Sequence, residues 1–456
     1  MKKQILWVIP LLVLANTICY GQSRSEYNYS KKVKAWESLH RAPTGVNWKE
    51  IEYNNVKNRE ANASISSRAR SVNTTALFAN GAIEGAWFER AGRSISGRVT
   101  SADIDYVGNK VFTVTGKGVI YRGDINGTNW QVLNENSVMP KINMIKVIPD
   151  GTGKNIVVTN YKYWDDAYNA SVRYSSDGGT TWNTGHTFPS TWTVIKSLVA
   201  DDAFKSVYIL AGDYNSGEMA VYRSQNKGVS FTLLRKIYAS GYDWSTMMHT
   251  SMYGNVKGDH KVYVVAKDST YSFNSTGLVS RGRNNIAIHE FNFYDVAFRA
   301  QLTGFQSSSL TKLYLYMNGK VYSSMDGLSW TDKGHILDAG EGPREGGNSF
   351  ACDLINPDKL YVGQVSMVVS NNGGTTWFRK ANHLHYEMDP NKNLHGDVMS
   401  LNFVIHPTTG QQVQLYCTDG GIYLSNDNGN TYPLFSKGLN NTEYYFSVTR
   451  QDDPNV

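Results

Sequence analysis

Two carboxylates near the C-terminal end of the chain stand where a pair of strands would bring them together. His395-Gly396-Asp397 precedes an apolar, alternating run from Met399 to His406, and Thr418-Asp419-Gly420-Gly421 follows a second run, Gln414 to Cys417. If these runs pair as antiparallel neighbours, Asp397 and Asp419 emerge at the same end of one sheet. Two carboxyl groups so placed can serve as acid and base, or acid and nucleophile, in glycoside hydrolysis, their separation deciding inversion or retention. They are the candidate catalytic residues, with His395 placed to orient one of them. An ordinary structural turn is the competing reading of Asp419.

A second set of residues suits binding rather than bond breaking. Tyr163, Trp164 and Asp165 form an aromatic and acidic loop, and Trp192, Tyr214, Trp244, Arg344 and the segment from His383 to Glu387 fall in comparable connections. Aromatic faces interleaved with acids stack on sugar rings or grip an extended peptide, because the ring covers apolar area while the acids accept hydroxyl or amide protons. Packing of loops against neighbouring elements is the alternative for each aromatic. Metal chemistry is not expected, since His383 and His385 are the only close histidine pair. Neither a Gly-rich phosphate loop nor a Gly-x-Ser-x-Gly elbow occurs.

The elements that must position these residues are written in a repeated phrase. Ser175-Ser176-Asp177-Gly178-Gly179-Thr180-Thr181-Trp182 packs a tight turn between two strands, with Gly for positive φ and an Asp that can hydrogen-bond its own backbone. Variants begin at Ser224, Ser323, Ser370 and Ser425, the one from Ser323 with its Asp a position late, and fainter copies lie at Gly123–Trp130 and Tyr271–Gly277. The residues entering these turns, Tyr121, Arg173, Tyr222, Tyr271, Val321, Val368 and Tyr423, recur every 47 to 55 positions. A period near fifty with four short strands per unit predicts an all-β protein, a β-propeller of about seven four-stranded blades. First strands are expected at Val194–Val199, Asp295–Phe298 and Met399–His406, and second strands at Val207–Ala211, Leu313–Tyr316 and Gln414–Cys417. In such a disc the turns lie on one face. The loops entering the first strand and joining the second to the third lie on the other, and Arg98 then sits at the mouth of a first strand, facing the channel or pairing with an acid of the next blade.

The phrase resembles the Asp-box, or bacterial neuraminidase repeat, of sialidases, the sortilin ectodomain and the xyloglucanase family of glycoside hydrolases, over about Trp87 to Tyr432. The resemblance implies a propeller with its boxes opposite the ligand face; it says little about activity. Sortilin-like and xyloglucanase-like propellers also open with a Trp and a Gly-Arg-Val, here Trp87 and Gly97-Arg98-Val99. The xyloglucanase family carries a catalytic Asp in a Thr-Asp-Ile-Gly-Gly-Ala-Tyr-Arg stretch of its first repeat. The matching stretch here is Thr115-Gly116-Lys117-Gly118-Val119-Ile120-Tyr121-Arg122, with Gly116 in place of that Asp. The Phe/Tyr-Arg-Ile-Pro segment of sialidases is absent. The reading is therefore a glycan- or peptide-binding propeller, with a xyloglucanase-like hydrolase and a structural module of a cell-surface assembly as alternatives. No cofactor is expected, structural calcium in the boxes being the one option.

Met1-Lys2-Lys3 and the apolar run Ile5 to Ile18 read as a secretory signal ending near Gly21, too short to span a bilayer comfortably. Residues 22–80 form a polar extension and 81–456 the propeller. The protein is expected to be secreted or held at the cell surface, without membrane insertion. The charge of +6 is spread along the chain, with no basic stripe for nucleic acid. Cys352 and Cys417, in neighbouring repeats, read as two separately buried thiols, although export permits a disulfide. After the last box, Tyr445–Arg450 reads as a further strand that either closes the ring beside Trp87 or begins another blade.

Overall fold

The computed structural model describes residues 76–78, 83–85, 96–135, 139–162, 166–199, 205–237, 247–255, 259–286, 300–317, 319–336, 342–343 and 348–441. The signal segment, residues 22–75 of the extension, the Trp87 strand, Asp295–Phe298 and Tyr445–Arg450 lie outside the described residues. A short antiparallel pair, Ala76–Phe78 with Ile83–Gly85, straddles the boundary expected at residue 80.

Seven antiparallel blades form a β-propeller. Blade 1 runs through Val99–Asp105, Lys110–Thr115, Ile120–Asp124 and Gln131–Val132, and blade 2 from Ile142–Val147 to Asn183–Thr187. Blade 3 comprises Trp192–Val199, Val207–Asp213, Met219–Ser224 and Thr232–Ile237. Blades 4 and 5 extend from Thr250–Tyr253 to Gly277–Arg283 and from Gln301–Gln306 to Thr331–His335. Blade 6 is Phe350–Cys352, Leu360–Gly363, Met367–Ser370 and Phe378–Ala381. Blade 7 has Val398–Ile405, Gln412–Thr418 and Gly421–Ser425, its fourth strand reduced to a bridge between Tyr423 and Leu434. Among the described residues the first strand of blade 5 is Gln301–Gln306.

Each sheet pairs only its own strands in chain order, so every blade must bury both faces against its neighbours. This is why second strands such as Val207–Asp213 and Gln412–Thr418 are buried almost throughout, on both faces of the sheet. The core is accordingly divided into seven clusters, one at each seam. Between blades 6 and 7, Tyr361, Leu401, Tyr416 and Tyr423 pack together. Each fully buried aromatic or aliphatic side chain of this size contributes roughly 1.5–3 kcal/mol.

Polar side chains stitch the first strands to one another around the axis. Asp103 Oδ2 accepts from Val147 N at 3.0 Å, Ser251 Oγ from Leu302 N at 2.9 Å, and Thr303 Oγ1 from Cys352 N at 3.0 Å. The first strand of blade 7 lies against that of blade 1, so the ring closes within the described residues. Cys352 and Cys417 are buried, unbonded thiols; burial pushes the Cys417 thiol up to about 12.

In five of the seven blades the turn between the third and fourth strands shares one hydrogen-bond scheme. In blade 2, Ser175 Oγ donates to Asp177 Oδ1 at 2.8 Å and accepts from Gly179 N at 2.8 Å, while Asp177 accepts from Thr181 N and its hydroxyl. Blades 3 and 6 repeat the scheme with Asn226 and Asn372, and blade 7 with Asp427. In blade 5 the scheme begins at Ser324 with Asp326, which restores the Asp to its usual offset in a turn one residue shorter. In blade 4 the turn contracts to a hairpin in which Asn274 pairs with Gly277.

Candidate functional site

Antiparallel order sends alternate connections to opposite ends of each blade. In blade 2 the 161–170 loop therefore leaves at the end opposite Asp177, and in blade 7 the 419–420 turn leaves opposite Asp427. The two faces of the disc are distinct, as the sequence predicts.

At the loop face, three blades converge around the two acids. Val398 pairs with Thr418, so Asp397 and Asp419 occupy neighbouring strand ends. Asp419 does not stand alone. Arg98, just before the first strand of blade 1, donates from Nε to Oδ1 at 2.7 Å and from Nη2 to Oδ2 at 2.8 Å. This planar, two-bonded geometry is the strong form of the guanidinium–carboxylate pair. The side chains are 34 % and 20 % exposed, so the pair sits at the surface of the closing seam. Its backbone is fixed as well: Arg98 O accepts from Gly116 N at 3.4 Å and from Asn441 Nδ2 at 3.0 Å.

Gly116 packs beneath Arg98, where an added Cβ would lie 3.2 Å from the arginine Cδ.

Asp397 is half-buried with φ of 63°, a left-handed conformation that Asp tolerates better than most side chains. Its N–H donates to Val365 O at 3.2 Å, tying it to the loop between the second and third strands of blade 6. The loop leading to blade 7 folds over the same place. It contains the 3-10 turn His383–His385, capped by Asn382, whose side chain accepts from Leu384 N. His383 Nδ1 lies 2.8 Å from Ser366 Oγ. His395 rests on Gly420, where a Cβ would meet its ring at 2.4 Å, and packs edge-to-face with Tyr386 at 5.5 Å. Tyr423 donates to Tyr386 Oη at 2.8 Å, and burial pushes the Tyr423 phenol well above its ordinary range. Around this polar cluster, Leu384, Met388 and Val365 are exposed.

The remaining candidates divide. Tyr163, Trp164, Asp165, Trp244 and Arg344 lie outside the described residues. Trp192 is not a surface platform: it is 8 % exposed and packs with Val194, Phe188 and Ile209 between blades 2 and 3. It shares the inward parity of Val194, two residues on, and this signal is present in the sequence. Tyr214 is half-buried and bridges two loops, donating to Lys162 O at 2.8 Å. The 161–170 loop is itself pinned by Lys141, which donates to both oxygens of Asp166 at 2.7 and 2.9 Å. Val365, Ser366 and Met388 carry no motif that marks them in the sequence. The length of the loop between Ala381 and Val398, with unshielded Leu384 and Met388, was the available signal.

Among the described residues no three His, Cys, Asp or Glu side chains converge as a metal site. Asp177 and Asp427, in the turns between third and fourth strands, already accept hydrogen bonds from their own turns. No described helix is long and apolar enough to cross a membrane.

The fold and this seam define a seven-bladed β-propeller with a polar cluster on the loop face where the ring closes. Among solved structures, the GH74 xyloglucanase from Xanthomonas campestris is similar at 16% identity and a TM-score of 0.50, over 75% of this chain and 54% of that one. An ancestral GH74 enzyme is similar at 14% identity and a TM-score of 0.52, over 75% of this chain and 47% of that one. The chain spans about half the length of these enzymes, and at such identity the likeness is one of fold. No protein family and no curated protein matches the sequence.

Proposed function

We propose that this protein is an exported propeller that binds a glycan on its loop face, at the seam of blades 6, 7 and 1. The observation that carries the reading is the two-bonded Arg98–Asp419 pair beside Asp397. Both oxygens of Asp419 are engaged by Arg98, so this carboxylate serves as a fixed acceptor surface rather than as a group that gives up a proton or attacks a sugar carbon. The exposed apolar side chains of Leu384 and Val365 add area for the C–H faces of sugar rings. The expected aromatic loop at Tyr163–Asp165 would extend this surface around the rim. Gly116, in place of an acid, points the same way.

A second reading, glycoside hydrolysis by Asp397 with Asp419, draws on their neighbouring strand ends. One experiment separates the two. The intact protein and its Asp397→Asn variant are assayed for binding and turnover on a panel of β-glucan oligosaccharides, xyloglucan fragments among them. The binding reading expects retention of at least one glycan without turnover, and an affinity lower by about tenfold in the variant, the weight of one or two lost polar contacts. Turnover by the parent that Asp397→Asn abolishes would establish the hydrolase instead. Binding only to extended peptides, with every glycan inert, would overturn the glycan assignment.

A further inference from the structure

The opposite face of the disc holds a cavity that the loop-face reading does not use. It lies between the box ends of blades 6 and 7, has a volume of about 220 Å³, and is lined by Lys359, Lys380, Phe378 and the side chains of Asn371, Asn428 and Asn430. Its chemistry is lopsided. Two lysines line it and no carboxylate does. Lys380 Nζ donates only to the neutral Asn430 Oδ1 at 3.2 Å, and Lys359 Nζ to Asn428 O at 3.2 Å. Lys359 is held 5.1 Å over the Tyr361 ring, which fixes its ammonium at the wall. Burial lowers the Lys359 pKa; the charge of Asp353 opposes this and that of Lys380 adds to it. The buried Asp353 does not itself line the cavity; it accepts from Gln412 Nε2 at 2.8 Å, from the N–H groups of Ile355 and Asn356, and from the hydroxyl of the lining Tyr361 at 3.3 Å.

The other walls supply what a sugar needs. Phe378 is 43 % exposed, a flat apolar face beside the cations. Asn371 and the Nδ2 group of Asn428 bring amide groups suited to hydroxyls, while Asn430 is held by Lys380 and Asp427 O and Asn428 Oδ1 accepts from Tyr361. The volume is below the roughly 300–1,000 Å³ of sites for drug-sized ligands, and so fits one ring rather than a chain.

We infer that this cavity is a binding site for a single acidic sugar residue, such as a uronic acid, with its carboxylate between Lys359 and Lys380, its hydroxyls on Asn371 and Asn428 and its ring against Phe378. The site is separate from the loop face, and the two readings stand or fall independently.

The test titrates the full chain at low salt with methyl glucuronide, methyl glucoside and sodium acetate, followed by NMR or calorimetry. Methyl glucuronide is expected to bind at about 1–10 mM, with glucoside and acetate each at least about tenfold weaker. Lys380→Met and Phe378→Ser should each weaken glucuronide binding about tenfold, while Asp397→Asn on the other face leaves it unchanged. Lys380 and Phe378 lie outside the core clusters, so unchanged melting temperatures are expected to show that both variants fold. Equal binding of glucuronide and glucoside, or undiminished binding by Lys380→Met, would overturn the inference. Acetate binding as tightly as glucuronide would reduce the cavity to a simple anion site and overturn the sugar assignment.

Discussion

A single box carboxylate shows how much one residue carries and how locally. Burial alone would raise the Asp427 carboxyl. The Thr431 hydroxyl and N–H, with the Ser425 hydroxyl, reverse this and hold it at about 2 against an ordinary 3.8. A depressed carboxyl contributes stability that is whole above the unfolded value and is lost as pH falls through the folded one. Blades 3 and 6 place Asn at the equivalent position, where Asn226 and Asn372 accept the same N–H and donate to a hydroxyl. Asp427→Asn is therefore expected to cost only about 0.5–1.5 kcal/mol at pH 7. That deficit should shrink as pH falls from about 4 to about 2, followed by thermal melts. A deficit constant across that range would contradict the account. Such turns were legible because every partner lies within a few positions of the Asp. The Arg98–Asp419 pair joins residues 321 positions apart, and only the closed ring brings them together. The sequence marked Arg98 as a residue that would pair with some carboxylate, but no local pattern named which.

At the scale of elements, the connections on the loop face are set by close approach of backbone. Gly118, in the turn between the second and third strands of blade 1, has φ of +90°, and a Cβ there would lie 1.9 Å from Met139 O. Gly118→Ala should destabilise by about 2–4 kcal/mol, combining left-handed strain with a clash against backbone. Gly116→Ala, two residues earlier, has no positive φ and meets side-chain carbons only, Arg98 Cδ at 3.2 Å and Thr100 Cγ2 at 3.9 Å, and should cost clearly less. Urea unfolding of both variants checks the pair, and equal losses would contradict it. Strands and their order were readable from alternation and from the fifty-residue period. The strand expected at Asp295–Phe298 lies outside the described residues, and Gln301–Gln306 just after it lacks strict apolar alternation, so its sequence does not announce it. Trp192 was misread for a different reason: a large aromatic after Pro189-Ser190-Thr191 looks like a loop residue, while its parity with Val194 turns it into the seam.

The molecule as a whole is a ring whose core is divided among seven seams, with uniform turns at one end and varied loops at the other. The closing seam is built differently from the rest. Blade 7 ends in a single bridge rather than a full fourth strand, and the chain beyond it returns to blade 1. There Ser96 Oγ donates to Ser436 Oγ at 3.2 Å and Gly97 N to Asn441 O at 2.5 Å. These bonds, with the Arg98–Asp419 pair, place polar groups at the surface where loops of blades 6, 7 and 1 meet. The division of the disc into two faces followed from the period alone. The convergence of this cluster did not, because it depends on which blade closes against which.

Amide hydrogen exchange with and without a bound β-glucan oligosaccharide tests the loop-face assignment most directly, since it reports where protection appears regardless of affinity. The account predicts slowed exchange in residues 364–366, 382–397 and 419–420, with the box turns around Asp177 and Asp326 unchanged. Protection confined to the box turns, or none in those three segments while the oligosaccharide is bound, would contradict it.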